Sequence, residues 1–272
     1  MKKIWFEEKN VIISGASSGI GLETARVLIE RYHCNVIGIA RNIEKLQKAK
    51  DLLGDRFTFY SFDVGSAENW NHFCSTLIQK NITPDILINN AGVLPRFSKF
   101  EHYDQAEINT VLNTNFFASL YAIKALTPLL KKSNSPAVIN VASSAALAPV
   151  VGTTIYTASK AALKSFTECL QLEHTGMYVA LVCPGFVNTD IFRGQSSKIS
   201  DNKLIEKFCS PCDKTVRKMI KRIARKKRRI IIGADAFWSD VAYRLFPRSI
   251  GKLMKSVLKS SHQSIFNDLF KE

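Results

Sequence analysis

Seven short apolar runs, separated by longer segments with helical periodicity, constrain this chain more than any other feature. The runs are residues 10–14 (NVIIS), 35–40 (NVIGIA), 57–64 (FTFYSFDV), 85–90 (DILINN), 137–143 (AVINVAS), 178–183 (YVALVC) and 229–233 (RIIIG). They are rich in Val and Ile and continuously apolar, as strands buried on both faces must be. Helices are expected over residues 20–32, 43–53, 104–130 (ending near Pro128) and 155–174.

Parallel neighbours need crossovers of this length, and such crossovers are right-handed almost without exception. The pattern therefore predicts an α/β fold, a Rossmann-type doubly wound, mostly parallel seven-stranded sheet with helices on both faces. The chain has 272 residues, is 46% hydrophobic and 22% charged, and no low-complexity linker interrupts the alternation before residue 190. A single domain over 1–272 is the economical expectation.

Charge is less ordinary. The formal net charge is +15, and between Lys203 and Lys259 there are 17 basic and 4 acidic residues. The asymmetry points to a local feature. KTVRKMIKRIARKKRRIIIG (214–233) raises nucleic-acid binding as a question, but no recognition motif accompanies it, and the aromatics Phe237, Trp238 and Tyr243 lie outside the basic run. No specific nucleic-acid partner is expected. Within the run, Val216, Met219, Ile220, Ile223 and Ala224 share one helical face, so a helix followed by a last buried strand ending at Gly233 is predicted. The extension 234–272 is basic and amphipathic, which leaves open a weak peripheral membrane contact, a pocket lid or a dimer contact.

Six cysteines scattered among apolar runs suit free thiols rather than a disulfide framework. Cys209-Ser-Pro-Cys212 has the spacing of a zinc half-site, yet no second pair accompanies it, and no metal is expected. Glu7, Glu8 and Lys9 break up the N-terminal segment, which does not look like a signal peptide. No apolar stretch approaches the ~20 residues that span a bilayer, so a cytoplasmic protein is expected.

At the first strand–helix junction, SGASSGIG (14–21) places glycines at 15, 19 and 21. Gly15 suits the positive φ of a sharp turn, Gly19 a close approach to pyrophosphate, and Gly21 tight packing of the helix on the sheet. Ser17 and Ser18 add hydroxyls, and the helix opening at Ile20 offers unpaired N–H groups to phosphate. The second strand ends in Ala40-Arg41 where an acid would grip the ribose of NAD. A guanidinium there suits a 2′-phosphate, so NADP(H) is favoured over NAD(H).

Tyr156 and Lys160 stand four apart in YTASK (156–160), on one helical face. A tyrosine ordinarily titrates near pH 10, and a neighbouring ammonium favours its phenolate. Ser143 ends the fifth run, at the sheet edge where such folds bind ligands, and its hydroxyl could meet a substrate carbonyl oxygen.

GASSGIG (15–21), Asp63-Val64, NNAG (89–92), Asn115, Ser143, YTASK (156–160) and PGFVNT (184–189) occur in this order across residues 10–190. The set resembles the classical short-chain dehydrogenase/reductase family. The resemblance implies Tyr156 as general acid or base, Lys160 as its pKa-lowering partner and ribose ligand, and Ser143 as the group that orients the substrate oxygen. It implies that Asn115 holds a water that links Lys160 to solvent. It also implies that Asp63 and Val64 flank adenine, that Asn90, Ala91 and Gly92 line the adenosine ribose, and that Pro184, Gly185, Val187 and Thr189 settle the nicotinamide. Ser14 departs from the threonine usual in the family but keeps a hydroxyl. The expected activity is hydride transfer between NADP(H) and a hydrophobic carbonyl or secondary alcohol. The alternative is a non-catalytic NADPH-binding scaffold of the same fold. Residues 190–212 would cover the substrate, and Phe97, Leu147, Val150, Phe186, Ile191 and Phe192 would wall its pocket. A homodimer or homotetramer is expected.

Overall fold

Val11 and Ile13 bury their side chains on one face of the first strand and Ile12 on the other, all three without measurable exposure. The same split recurs at Ile86 and Ile88 against Leu87, and at Ile139 against Val138. The continuous apolar runs thus supply two cores at once. In this computed structural model, residues 4–189, 191, 209–249, 251, 252, 255, 256 and 269 are described.

The strands are β1 (Asn10–Ser14), β2 (Asn35–Ala40), β3 (Phe57–Ser61), β4 (Ile86–Asn89), β5 (Ala137–Val141), β6 (Tyr178–Pro184) and β7 (Arg229–Ile232). They form one seven-stranded sheet in the order β3-β2-β1-β4-β5-β6-β7. Every pairing is parallel. The order reverses between β1 and β4, and the crevice that opens there at the carboxyl ends is where open α/β sheets take ligands.

The helices are α1 (Gly19–Tyr32), α2 (Ile43–Leu53), α3 (Ala67–Gln79), α4 (Gln105–Leu112), α5 (Ala118–Leu130), α6 (Thr154–Glu173), α7 (Cys212–Ala224) and α8 (Ala234–Leu245). Apolar residues of α1, α2 and α7 pack on one face of the sheet, those of α3, α5 and α6 on the other.

The expected 104–130 helix is two helices joined by a π-helical turn at Asn113–Phe117. Asp104 and Glu107 form a capping box at its start, each satisfying a backbone donor that the helix leaves unpaired. The helix runs past Pro128 to Leu130 rather than ending there. The expected run 57–64 pairs as a strand only to Ser61, because Asp63 turns the chain by accepting the Gly65 N–H at 2.9 Å.

The basic stretch forms α7 and β7. Val216, Met219, Ile220 and Ile223 are buried, and Ala224 packs against the same core. Trp5 seals this end, its indole N–H donating to the Ile223 carbonyl at 3.2 Å. Cys34, Cys74, Cys169, Cys183, Cys209 and Cys212 are free of disulfides. The expected covering segment 190–212 lies outside the described residues except for Ile191 and 209–212. Of the expected extension 234–272, residues 234–249, 251, 252, 255, 256 and 269 are described. Among the described residues no helix is long and apolar enough to cross a membrane.

Candidate active site

Loops after β1, β2, β4, β5 and β6 converge on one cavity of about 570 Å³, within the size range of small-molecule sites. The loop after β1 turns through Gly15 (φ +70°) and Gly19 (φ +54°), conformations that penalise any Cβ. A Cβ on Gly15 would lie 2.9 Å from the Ala91 Cα, and one on Gly21 would overlap the Gly15 carbonyl oxygen. A Cβ on Gly21 would also come within 2.6 Å of the Asn90 amide nitrogen, and Gly15 and Asn90 directly follow β1 and β4, so glycine here lets the first turn of α1 lie close on the strand ends; Gly21 does not line the cavity.

Ser14 joins this loop to the next one. Its hydroxyl oxygen accepts from the Asn90 N–H at 3.0 Å and the Ala91 N–H at 3.1 Å, while the Asn90 amide donates back to the Ser14 carbonyl at 3.1 Å. Ser17, Ser18, Gly19, Ile20, Asn90, Ala91, Gly92 and Val64 all line the cavity. Asp63 does not. At the end of β2, Arg41, Asn42 and Lys45 line it as well. The Asn42 side chain caps α2 by accepting the Lys45 N–H at 2.7 Å.

The other end of the cavity is built by β5 and α6. Ser143 caps a short 3₁₀ turn, its oxygen accepting the Ala145 N–H at 3.1 Å. Tyr156 and Lys160 project from successive turns of α6 into the cavity. Lys160 is buried, and its ammonium donates to the Val141 carbonyl at 3.1 Å. Burial pushes its pKa down to about 8, since desolvation penalises the charged form. Burial pushes the Tyr156 phenol above its ordinary value, with a hydrogen bond from Ser143 pulling the other way.

Asn115 sits in the π-helical turn and is buried. Its oxygen accepts the Val93 N–H at 2.7 Å, and its amide donates to the Val93 carbonyl at 2.9 Å and to Ser159 Oγ at 3.1 Å. The side chain thus clamps the strand-end segment beside Gly92 and does not itself line the cavity. A Cβ on Gly92 would come within 3.2 Å of Lys160 Nζ and 3.4 Å of Asn115 Oδ1, so glycine lets these groups approach.

Pro184, Gly185, Phe186, Val187 and Thr189 line the cavity after β6. What holds this loop is Asp235, at the start of α8. Its carboxylate accepts the Phe186 N–H at 2.7 Å and fills the space that side chains at Gly185 and Gly233 would occupy. Sequence reasoning missed Asp235. The only local hint is an acid in the first turn of a helix that follows a glycine.

Of the expected pocket walls, Phe97, Val150, Phe186 and Ile191 line the cavity. Leu147 is buried instead in a core cluster with Ala142, Leu163, Leu181 and Cys183, because the turn after Ser143 rotates it inward. Phe192 lies outside the described residues. Leu94 and Thr153 are further lining residues that were not expected.

The family model described as short chain dehydrogenase matches residues 9–200. The chain belongs to this family. The short-chain dehydrogenase is 34% identical over 190 residues to an uncharacterized oxidoreductase of Staphylococcus saprophyticus, covering 68% of this chain and 76% of that one. It is 30% identical over 270 residues to the 11-beta-hydroxysteroid dehydrogenase-like 2 protein of Arabidopsis thaliana, covering 96% and 86%. Its fold matches a short chain dehydrogenase from Burkholderia cenocepacia solved in complex with NADP, with a TM-score of 0.76 at 24% identity over 92% and 98% of the two chains.

The site's chemistry follows from its parts. A phenol, a hydroxyl and a buried amine face one apolar-walled space, while glycine-loop amides and two cationic side chains face the other end. No metal cluster is present among the described residues.

Proposed function

We propose that this short-chain dehydrogenase is an NADP(H)-dependent oxidoreductase acting on a hydrophobic carbonyl compound or the corresponding secondary alcohol. The observation that carries the reading is the shared cavity. Ser143, Tyr156 and Lys160 line the same space as the glycine loop and Arg41. Arg41 at the end of β2 and Ser143 at the end of β5 are three strand spacings apart in the sheet, on the order of 14 Å. An elongated dinucleotide fits such a crevice across the strand ends.

The residues present fit the cofactor. The first amides of α1 have no intrahelical acceptor and face the cavity at Gly19 and Ile20, where a pyrophosphate would sit. Arg41, beside Asn42 and Lys45, offers a guanidinium to a 2′-phosphate. Val64, with Asp63 behind it, would flank the adenine, and Asn90, Ala91 and Gly92 the adenosine ribose. Pro184, Gly185, Val187 and Thr189 would hold the nicotinamide end, on the loop that Asp235 fixes. When bound, the nicotinamide supplies a hydride to a carbonyl carbon or accepts one from a carbinol.

The chain's own groups handle the oxygen. Ser143 would donate to it as negative charge develops, and Tyr156 would deliver a proton in reduction or remove one in oxidation. Lys160, protonated below about pH 8, would hold ribose hydroxyls and favour the phenolate. Asn115 would position the Val93 segment, and a water held beside its turn could connect Lys160 to solvent. Phe97, Val150, Phe186 and Ile191 make the substrate end apolar. Residues 190–212 would cover it, and the whole chain would act as one catalytic unit.

The test is cofactor oxidation with NADPH and NADH side by side over a chemically diverse carbonyl panel. Turnover with NADPH that disappears in Tyr156→Phe supports the reading. Tight NADPH binding with no turnover of any carbonyl, and no effect of Tyr156→Phe, favours a non-catalytic scaffold.

A further inference from the structure

We propose that α7 and α8 together form a docking surface for an anionic lipid bilayer. The inward face of α7 accounts for its apolar residues but not for the opposite one. Lys214, Arg217, Lys218, Lys221, Arg222 and Arg225 recur at helical spacing and are all exposed, and Lys226, Lys227 and Arg228 continue the series. Like charges one turn apart weaken a helix, and the fold does little to offset them. Among the described residues, Lys214, Arg217, Lys218, Lys221 and Arg225 form no ion pair. Asp213 is the one acid on the helix.

The apolar half of the surface comes from α8. This helix buries Ala236 and Asp240 and leaves Phe237, Trp238 and Leu245 at 50%, 64% and 66% exposure, followed by Phe246 at 62%. Positions 237, 238, 241 and 245 fall on one arc of a helix with 3.6 residues per turn, so the exposed aromatics share a side. Phe237 and Trp238 meet edge to face, their ring centroids 5.4 Å apart and their planes at 77°. The acids of α8 face elsewhere. Asp235 is engaged by Phe186, and Asp240 by Arg229 and Arg244.

The two halves adjoin. A second cavity, of about 580 Å³, is lined by Lys218 and Arg222 of α7, Arg229 and Ile231 of β7, and Phe237 of α8. A cationic rim beside bulky apolar side chains matches the headgroup layer of an anionic membrane and the acyl boundary beneath it. A second copy of the chain would set like charges against each other. Nucleic acid would meet the cations but leaves the aliphatic side of α8, Val241 and Leu245, without a role.

The experiment is co-sedimentation of the full chain with vesicles of phosphatidylcholine, alone or mixed with phosphatidylglycerol. Two variants accompany it, Lys214→Glu/Lys218→Glu/Lys221→Glu and Trp238→Ser/Phe246→Ser, each compared with the parent by thermal unfolding. Binding is expected only with phosphatidylglycerol. It should weaken ~100-fold or more in the charge-reversal variant and markedly in the second. A blue shift of tryptophan emission on binding should vanish with Trp238. Equal sedimentation with both lipids, no sedimentation with either, or retention of binding by folded charge-reversal protein would overturn the proposal. So would binding to single- or double-stranded nucleic acid that Trp238→Ser/Phe246→Ser leaves intact, in the absence of vesicle binding.

Discussion

Lys160 donates to the carbonyl of Val141 at 3.1 Å from a buried position at the cavity wall, so α6 delivers a buried amine to the end of β5. The chain retains this cationic group in its interior even though burial brings its pKa down to about 8 from an ordinary 10.5. A lysine depressed in this way costs stability wherever it is charged in the fold. The cost is complete below pH 8, where folded and unfolded chains both bind the proton. It is relieved as pH rises from 8 toward 10.5, where only the unfolded chain stays protonated.

Lys160→Met should therefore flatten the pH dependence of stability in that window. The parent should gain about 3 kcal/mol between pH 8 and 10.5 from this group, and the variant should not. Denaturant unfolding across the window, corrected for the remaining titrating groups by difference, checks this. Turnover in the variant should fall by at least ~100-fold.

Tyr156→Phe removes one oxygen from the cavity and nothing from the core. Its turnover should drop ~100- to 10,000-fold, with NADPH affinity and melting temperature close to the parent's. A drop in cofactor affinity of similar size would mean that the phenol binds rather than exchanges protons.

Arg41→Ala should raise the KM for NADPH ~10- to 100-fold, the scale of losing charge-assisted hydrogen bonds, and leave the KM for NADH within about twofold. Steady-state kinetics with both cofactors separates the two. Equal changes for both would place Arg41 outside the phosphate site.

Asp235→Ala should loosen the loop at Gly185 and Phe186 without touching the proton-transfer groups. Loss of the 2.7 Å bond to the Phe186 N–H leaves that donor to water, and the KM for cofactor should rise ~3- to 30-fold. Asp235→Asn keeps an acceptor oxygen and should recover most of the loss. A fall in turnover at unchanged KM would contradict a positioning role.

Local signals made most of this molecule readable in its sequence. Strands buried on both faces need apolar runs, a turn at φ +70° needs Gly15, and a phenol beside an amine needs a four-residue spacing. Helix α3, which is not among the expected helices, does carry a local signal, since its buried Trp70, Phe73 and Leu77 recur on one helical face. Signals that depend on distant partners were not readable. Leu147 turns into the core because the 3₁₀ turn after Ser143 redirects the chain. Asp235 meets Phe186 across 49 positions, and no local pattern encodes that contact. Asn115 resembles any polar helix residue until the π-helical turn aims its amide at Val93.

The most direct test of the account is NADPH oxidation by the purified chain with a panel of hydrophobic ketones and aldehydes, run beside NADH and beside Tyr156→Phe. The account predicts turnover of at least one carbonyl that prefers NADPH and collapses in the variant. Turnover that persists in Tyr156→Phe, or a clear preference for NADH, would contradict it.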